Sequence, residues 1–127
     1  MKIEIRTIPH SAQRYPTCGD WQFVKPDHLV ISVSDMGNDD YAFLIGIHEA
    51  IEAWVAVKRS GPEVEKALDE FDMKYEDNRK EGDTSEPGDD TACPVYMEHQ
   101  LATGVERILA GVLGVDWKTY DQGVNGL

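Results

Sequence analysis

Three ionisable residues lie in the middle of the most apolar segment of the sequence, residues 41–61. His48 and Glu52 are four positions apart, which places both on one face of a helix, and Glu49 lies between them at the border of that face. Burying such groups in an apolar helix is costly unless they are paired or bind a metal ion. We therefore expect His48 and Glu52 to be metal ligands. The alternative is a core histidine that is simply paired with Glu52.

The five residues from His48 to Glu52 have the form HExxE, which resembles the HExxH active-site helix of the zincin metallopeptidases. This resemblance implies that His48 and Glu52 bind zinc and that Glu49 is the general base that polarises a metal-bound water. A carboxylate here replaces the second histidine of the family. That change lowers the net charge of the site and its preference for zinc.

A metal site needs a third protein ligand, and the predicted third helix offers Glu98 and His99. The buried arc of this helix is predicted to comprise Leu101, Val105, Ile108, Leu109 and Val112. Periodicity then favours Glu98 as the inward group, whereas the ligand preference of zinc favours His99. Asp72 of the predicted second helix is a further candidate, so the third ligand stays open.

The elements that must position these residues are predicted to form an α+β fold, because every strand precedes every helix. Strands are expected at residues 2–8, 21–24 and 28–34, pairing as a short antiparallel sheet of two or three strands. Three helices are expected to follow, at about residues 40–60, 63–80 and 94–113, with the first one buried.

Residues 1–127 are predicted to form a single domain, since the chain length and 41% hydrophobic content suit one core. Residues 81–93 are acidic and rich in glycine and proline, which predicts a mobile loop. Residues 121–127 are expected to be a frayed tail.

The net charge of −12 argues against binding to nucleic acid or to an anionic membrane, since both attract basic proteins. The same charge suits cation binding or docking on a basic protein surface. No apolar run reaches the length of a membrane span, and the N-terminus lacks a signal-peptide pattern, so we expect a cytoplasmic protein. The two cysteines form no spaced motif and are expected to be reduced thiols.

Five short segments together resemble small proteins encoded by bacteriophages and prophages: Arg14–Trp21, Ser34–Gly37, Ile47–Ala53, Glu86–Asp90 and Gly114–Trp117. This resemblance implies the cytoplasm of a bacterial host cell and a host protein as partner. The first functional hypothesis is a small zinc-dependent hydrolase of the peptidase type. The alternative is a noncatalytic acidic protein that binds and inhibits a host protein.

Overall fold

The computed structural model describes all 127 residues and confirms the α+β class. Three strands come first: β1 (Lys2–Ile8), β2 (Gly19–Lys25) and β3 (His28–Ser34). Four helices follow: α1 (Asp39–Ser60), α2 (Val64–Asp77), α3 (Tyr96–Leu113) and α4 (Trp117–Asn125). The helix count is thus four rather than the predicted three, because residues predicted to form a frayed tail continue α4. None of these helices combines the length and apolarity needed to cross a membrane.

The sheet is mixed rather than purely antiparallel, with the strand order β1-β3-β2. β2 and β3 form an antiparallel hairpin, whereas β1 runs parallel to β3. The connection at residues 9–18 is long enough to carry the chain across the sheet, and Gln13 in it donates a hydrogen bond to the carbonyl of Ser32. A long connection of this kind permits parallel pairing, which a tight hairpin does not.

α1 is the central element of the fold and packs between the sheet and α3. Asn38 caps its first turn by accepting a hydrogen bond from the backbone N–H of Tyr41. Gly61, with a φ of 86°, ends the helix in a conformation that favours glycine. Leu44, Ile45 and other α1 residues bury against β3, so one side of the helix completes the core while another side is left to face α3.

Gly46 marks where α1 meets β1, because a Cβ at this position would lie 2.7 Å from Cγ2 of Ile5. Ile3 and Ile5 alternate with polar residues, a pattern typical of a strand with one core face, but both are exposed. β1 is an edge strand that α1 covers only in part. An alternating pattern identifies a strand face without showing how far the neighbouring helix extends over it.

The predicted buried arc of α3 is also wrong: Leu101, Ile108 and Val112 are exposed. The buried residues of this helix are instead Glu98, His99, Ala102, Glu106 and Ala110. Small alanines on both helices, including Ala53 and Ala56 of α1, suit close packing between α1 and α3. The inward side of α3 therefore carries its histidine and both of its carboxylates, whereas Leu101, Ile108 and Val112 face outward.

Candidate metal centre

α1 positions the first two residues of the site one helical turn apart. His48 and Glu52 are both buried, and their side chains project toward α3. The Nε2 atom of His48 lies 3.4 Å from the Oε2 atom of Glu52. This placement follows directly from the helical period, because residues four positions apart lie on one face of an α-helix.

α3 contributes His99 as the third member. Its Nδ1 atom lies 3.1 Å from His48 Nε2 and 3.1 Å from Glu52 Oε2. Three potential ligand atoms, two imidazole nitrogens and one carboxylate oxygen, therefore meet at one point between the helices. This buried group of His48, Glu52 and His99 could hold a metal ion.

The outer nitrogen of each imidazole has a carboxylate partner. His48 Nδ1 lies 2.8 Å from Oε1 of Glu106, and His99 Nε2 lies 3.0 Å from Oε2 of Glu86. When each outer nitrogen donates its N–H to its carboxylate, the neutral ring presents a lone pair at the inner nitrogen. Both lone pairs then point toward the shared centre with Glu52.

The second carboxylate oxygens of Glu52 and Glu106 are held as well. The indole Nε1–H of Trp21 donates to Oε1 of Glu52 at 3.1 Å, leaving Oε2 directed at the histidines. The Tyr120 hydroxyl donates to Oε2 of Glu106 at 2.5 Å. Side chains from β2, α4 and the loop before α3 thus hold the residues that α1 and α3 bring together.

The charges of the site are strongly coupled. Burial by itself would raise the pKa of Glu52, but hydrogen bonds from His48 and His99 lower it to about 2. Burial likewise opposes the charged form of His99, yet its bonds to Glu52 and Glu86 raise its pKa to about 10. Without a metal ion, the carboxylates therefore retain protons on the imidazoles, which a bound cation would have to displace.

Glu49, the predicted base, lies on the wall of the same cavity but outside the three-residue group. It packs on the backbone of Gly19, where an added Cβ would come within 2.8 Å of its Cγ. Burial raises the pKa of Glu49 well above its usual value, and the charge of Glu52 adds to this effect. Its side chain is half-buried and lines the groove, where it can contact a small molecule.

Two of the residues considered for the third ligand position lie elsewhere. Glu98 is buried, but its Oε1 lies 3.7 Å from the guanidinium of Arg59, and it is not part of the converging group. Asp72 accepts a hydrogen bond from the Tyr15 hydroxyl at 3.1 Å. Of the alternatives left open by the sequence, the structure brings only His99 to His48 and Glu52.

A groove with a volume of about 320 Å³ leads to the site. Its walls include the three converging residues, Glu49, and aromatic side chains from β2 and α4 such as Trp21 and Trp117. The loop at residues 86–88 forms another wall. Gly88 lies directly against the His99 ring, so that a Cβ there would overlap the imidazole. The predicted acidic loop thus supplies Glu86 and shapes the entrance.

Sequence reasoning missed four residues that orient the site: Trp21, Glu86, Glu106 and Tyr120. For Glu106 a sequence pattern was available, because it follows His99 by seven residues and so shares its helix face. Ala102 and Ala110 lie on that same face. For Glu86, Trp21 and Tyr120, which belong to separate elements, no local pattern indicates the contact.

Comparison of the chain with protein-family models, curated proteins and solved structures finds no match.

Proposed function

We propose that the protein binds one zinc ion through His48 Nε2, Glu52 Oε2 and His99 Nδ1. The observation that carries this proposal is the triangle of these atoms, with edges of 3.1, 3.1 and 3.4 Å. In a tetrahedral zinc site with bonds of about 2.0–2.1 Å, neighbouring ligand atoms are about 3.3 Å apart. The three atoms thus have the spacing of one face of a tetrahedron around an ion.

The kind of ligand supports zinc over the harder cations. Two imidazoles and one carboxylate form a set that is common in catalytic zinc sites, whereas magnesium and calcium prefer oxygen ligands alone. The carboxylates of Glu106 and Glu86 on the outer nitrogens supply the support that metal-binding histidines usually have. A dication would also offset the excess of carboxylates around the two rings.

We further propose that the site is hydrolytic and resembles that of the zincin peptidases. Three protein ligands leave a fourth position of a tetrahedron for water or for the carbonyl of a substrate, and zinc there lowers the pKa of water. Glu49 lines the cavity, and a bound dication would favour its carboxylate form, which would accept the proton of the attacking water. The groove would be the route by which a substrate reaches this position.

The test separates binding from catalysis. Protein purified without added metal is expected to contain about one zinc per chain by elemental mass spectrometry. Wild type is expected to cleave members of a fluorogenic peptide library, and Glu49→Gln is expected to keep its zinc but lose cleavage. Protein that binds no zinc, either as purified or on titration, would contradict both parts of the proposal. Zinc binding without turnover would contradict the hydrolytic part alone.

A second candidate function is a noncatalytic interaction protein in which the same residues form a metal-free polar network. The observation that favours it is that every ring nitrogen also contacts a carboxylate, so protonated imidazoles could donate from His48 to Glu106 and Glu52, and from His99 to Glu86 and Glu52. In that case zinc would not raise the melting temperature. The bacteriophage origin and the host protein as partner remain predictions from the sequence. Such a partner belongs to this second function.

A further inference from the structure

The outward face of α3 is an apolar surface in a very acidic protein. Four large side chains on it are 50–79% exposed: Met97, Leu101, Ile108 and Val112. The chain has 24 acidic residues, yet the only two in α3, Glu98 and Glu106, are both buried. No carboxylate of this helix is therefore exposed to solvent. Exclusion of charge from an exposed apolar stripe is typical of a protein interface.

The spacing along this face is that of a helix-pairing seam. Met97, Leu101, Gly104, Ile108 and Gly111 follow one another at intervals of four, three, four and three residues. The two glycines are exposed, and a Cβ at either would meet no atom within 4 Å. Exposed glycines in the middle of a helix are destabilising, and within one chain nothing about their surroundings requires them.

We propose that this face of α3 binds the same face of a second copy of the chain, with the two helices antiparallel about a twofold axis near residue 106. In that register Ile108 of one copy lies opposite Gly104 of the other, and Leu101 lies opposite Gly111. Ile108 and Leu101 thus each pack over a glycine of the other copy, where no side chain occupies the space. A single register of the two helices aligns both pairs. This self-complementarity is what a symmetric interface requires.

The exposed apolar area lies at the lower limit for a specific interface. The four large side chains expose roughly 500 Å² per copy, or about 1,000 Å² for two copies, whereas a standard interface buries about 800 Å² per partner. The glycines, Gln100 and Arg107 are also exposed on α3 and can enlarge this area. The face lies on the opposite side of α3 from His99 and Glu106, so pairing would leave both grooves open.

The test is the mass in solution, measured by sedimentation equilibrium over a range of micromolar concentrations. Wild type is expected at twice the chain mass of 14.2 kDa. Ile108→Glu is expected to be monomeric with an unchanged circular dichroism spectrum, because the side chain it replaces is 69% exposed. Val24→Glu is the matched control: Val24 is 53% exposed on β2, away from α3, and this variant is expected to remain dimeric.

Gly104→Leu is a second variant that tests the interface without placing a charge on the helix. It fills the hollow that the partner's Ile108 would occupy, so it is expected to weaken the dimer at least tenfold while leaving the monomer folded. Wild type that sediments as a monomer throughout would overturn the proposal. A dimer that persists in both Ile108→Glu and Gly104→Leu would also overturn it.

Each copy carries a net charge of −12, so two copies repel each other at long range. Added salt screens this repulsion and is expected to strengthen the dimer. An interface based on ion pairs would instead weaken as salt rises. Dissociation of the wild-type dimer at high salt would therefore overturn the apolar pairing.

Discussion

The Nδ1 atom of His48 lies 2.8 Å from Oε1 of Glu106, although 58 positions separate the two residues in the chain. This bond joins α1 to α3 and determines which nitrogen of His48 is free to face Glu52 and His99. The second oxygen of Glu106 is held by Tyr120 of α4. The orientation of one imidazole thus depends on three helices.

Replacing Glu106 with glutamine is expected to weaken zinc binding about 10- to 100-fold, because an amide oxygen orients and polarises His48 less well than a carboxylate does. Competition with a chromophoric chelator measures the change in affinity. Tyr120→Phe is the matched comparison, since it leaves the bond between Glu106 and His48 in place, and its effect is expected to be smaller. Equal affinity in Glu106→Gln and wild type would show that Glu106 does not support the metal.

The choice between Glu98 and His99 is directly testable. His99→Gln is expected to lose stoichiometric zinc because it removes one of three ligands, whereas Glu98→Gln is expected to keep one zinc per chain. Elemental analysis after dialysis against metal-free buffer measures both variants. The opposite pattern would mean that Glu98, which lies beside Arg59 in the structure, is the ligand.

Gly88→Ala probes the contribution of the loop before α3. Its Cβ would overlap the His99 ring, so either the loop or the imidazole has to move and the bond between His99 and Glu86 is expected to break. We expect weaker zinc binding in a chain that remains folded. Gly104→Ala is the control, because a Cβ there meets nothing within 4 Å, and its zinc affinity is expected to match wild type.

Trp21→Phe removes the indole N–H that donates to Glu52. A buried carboxylate oxygen then lacks its partner, so the free energy of unfolding of the metal-free protein is expected to fall by about 1–3 kcal/mol. Urea denaturation measures this change. Trp54→Phe alters a ring that is 43% exposed, and its effect is expected to stay within about 0.5 kcal/mol.

The pKa of Asp72 predicts a specific pH dependence of stability. Burial raises its pKa to about 7 despite the hydrogen bond from Tyr15. The folded protein therefore binds this proton more tightly than the unfolded chain, so the contribution of Asp72 to stability is lost as the pH rises from about 4 to 7. Asp72→Asn keeps an acceptor for Tyr15 and removes the charge.

The Asp72→Asn variant is accordingly expected to be more stable than wild type above pH 7, with a difference that shrinks as the pH falls toward 4. The urea midpoints of both proteins across this range measure the difference in stability. Groups that titrate in both proteins contribute equally and cancel in this difference. A difference that does not vary with pH would contradict the raised pKa of Asp72.

The local elements of this protein were largely predictable from sequence. The 28–34 strand matches β3, and the central helix begins within one residue of its predicted start and ends at Ser60 as expected. The signals for these elements are local. The alternation in a strand, the helix cap at Asn38 and the helix end at Gly61 each involve only a few neighbouring residues. The pairing of His48 with Glu52 is local in the same sense, since it needs only the helical period.

Sequence reasoning went wrong where the outcome depended on which face of an element is covered. The bulky aliphatic residues of α3 were predicted to be buried, yet Ile108 and Val112 are among the most exposed apolar side chains of the chain. A helical period identifies faces but does not say which one meets a neighbour. Here small residues allow α1 and α3 to approach closely, and the apolar face of α3 remains outside.

The sequence by itself determined the helix that carries His48, Glu49 and Glu52, and with it the chemistry that this helix can offer. Only the tertiary structure selected His99 rather than Glu98 and brought Glu86, Glu106 and Trp21 to the same centre. The physical reason is range: helix geometry is set by bonds between near neighbours, whereas the site is closed by contacts 13–58 positions apart in the chain. Those contacts depend on how helices, strands and loops pack around one core.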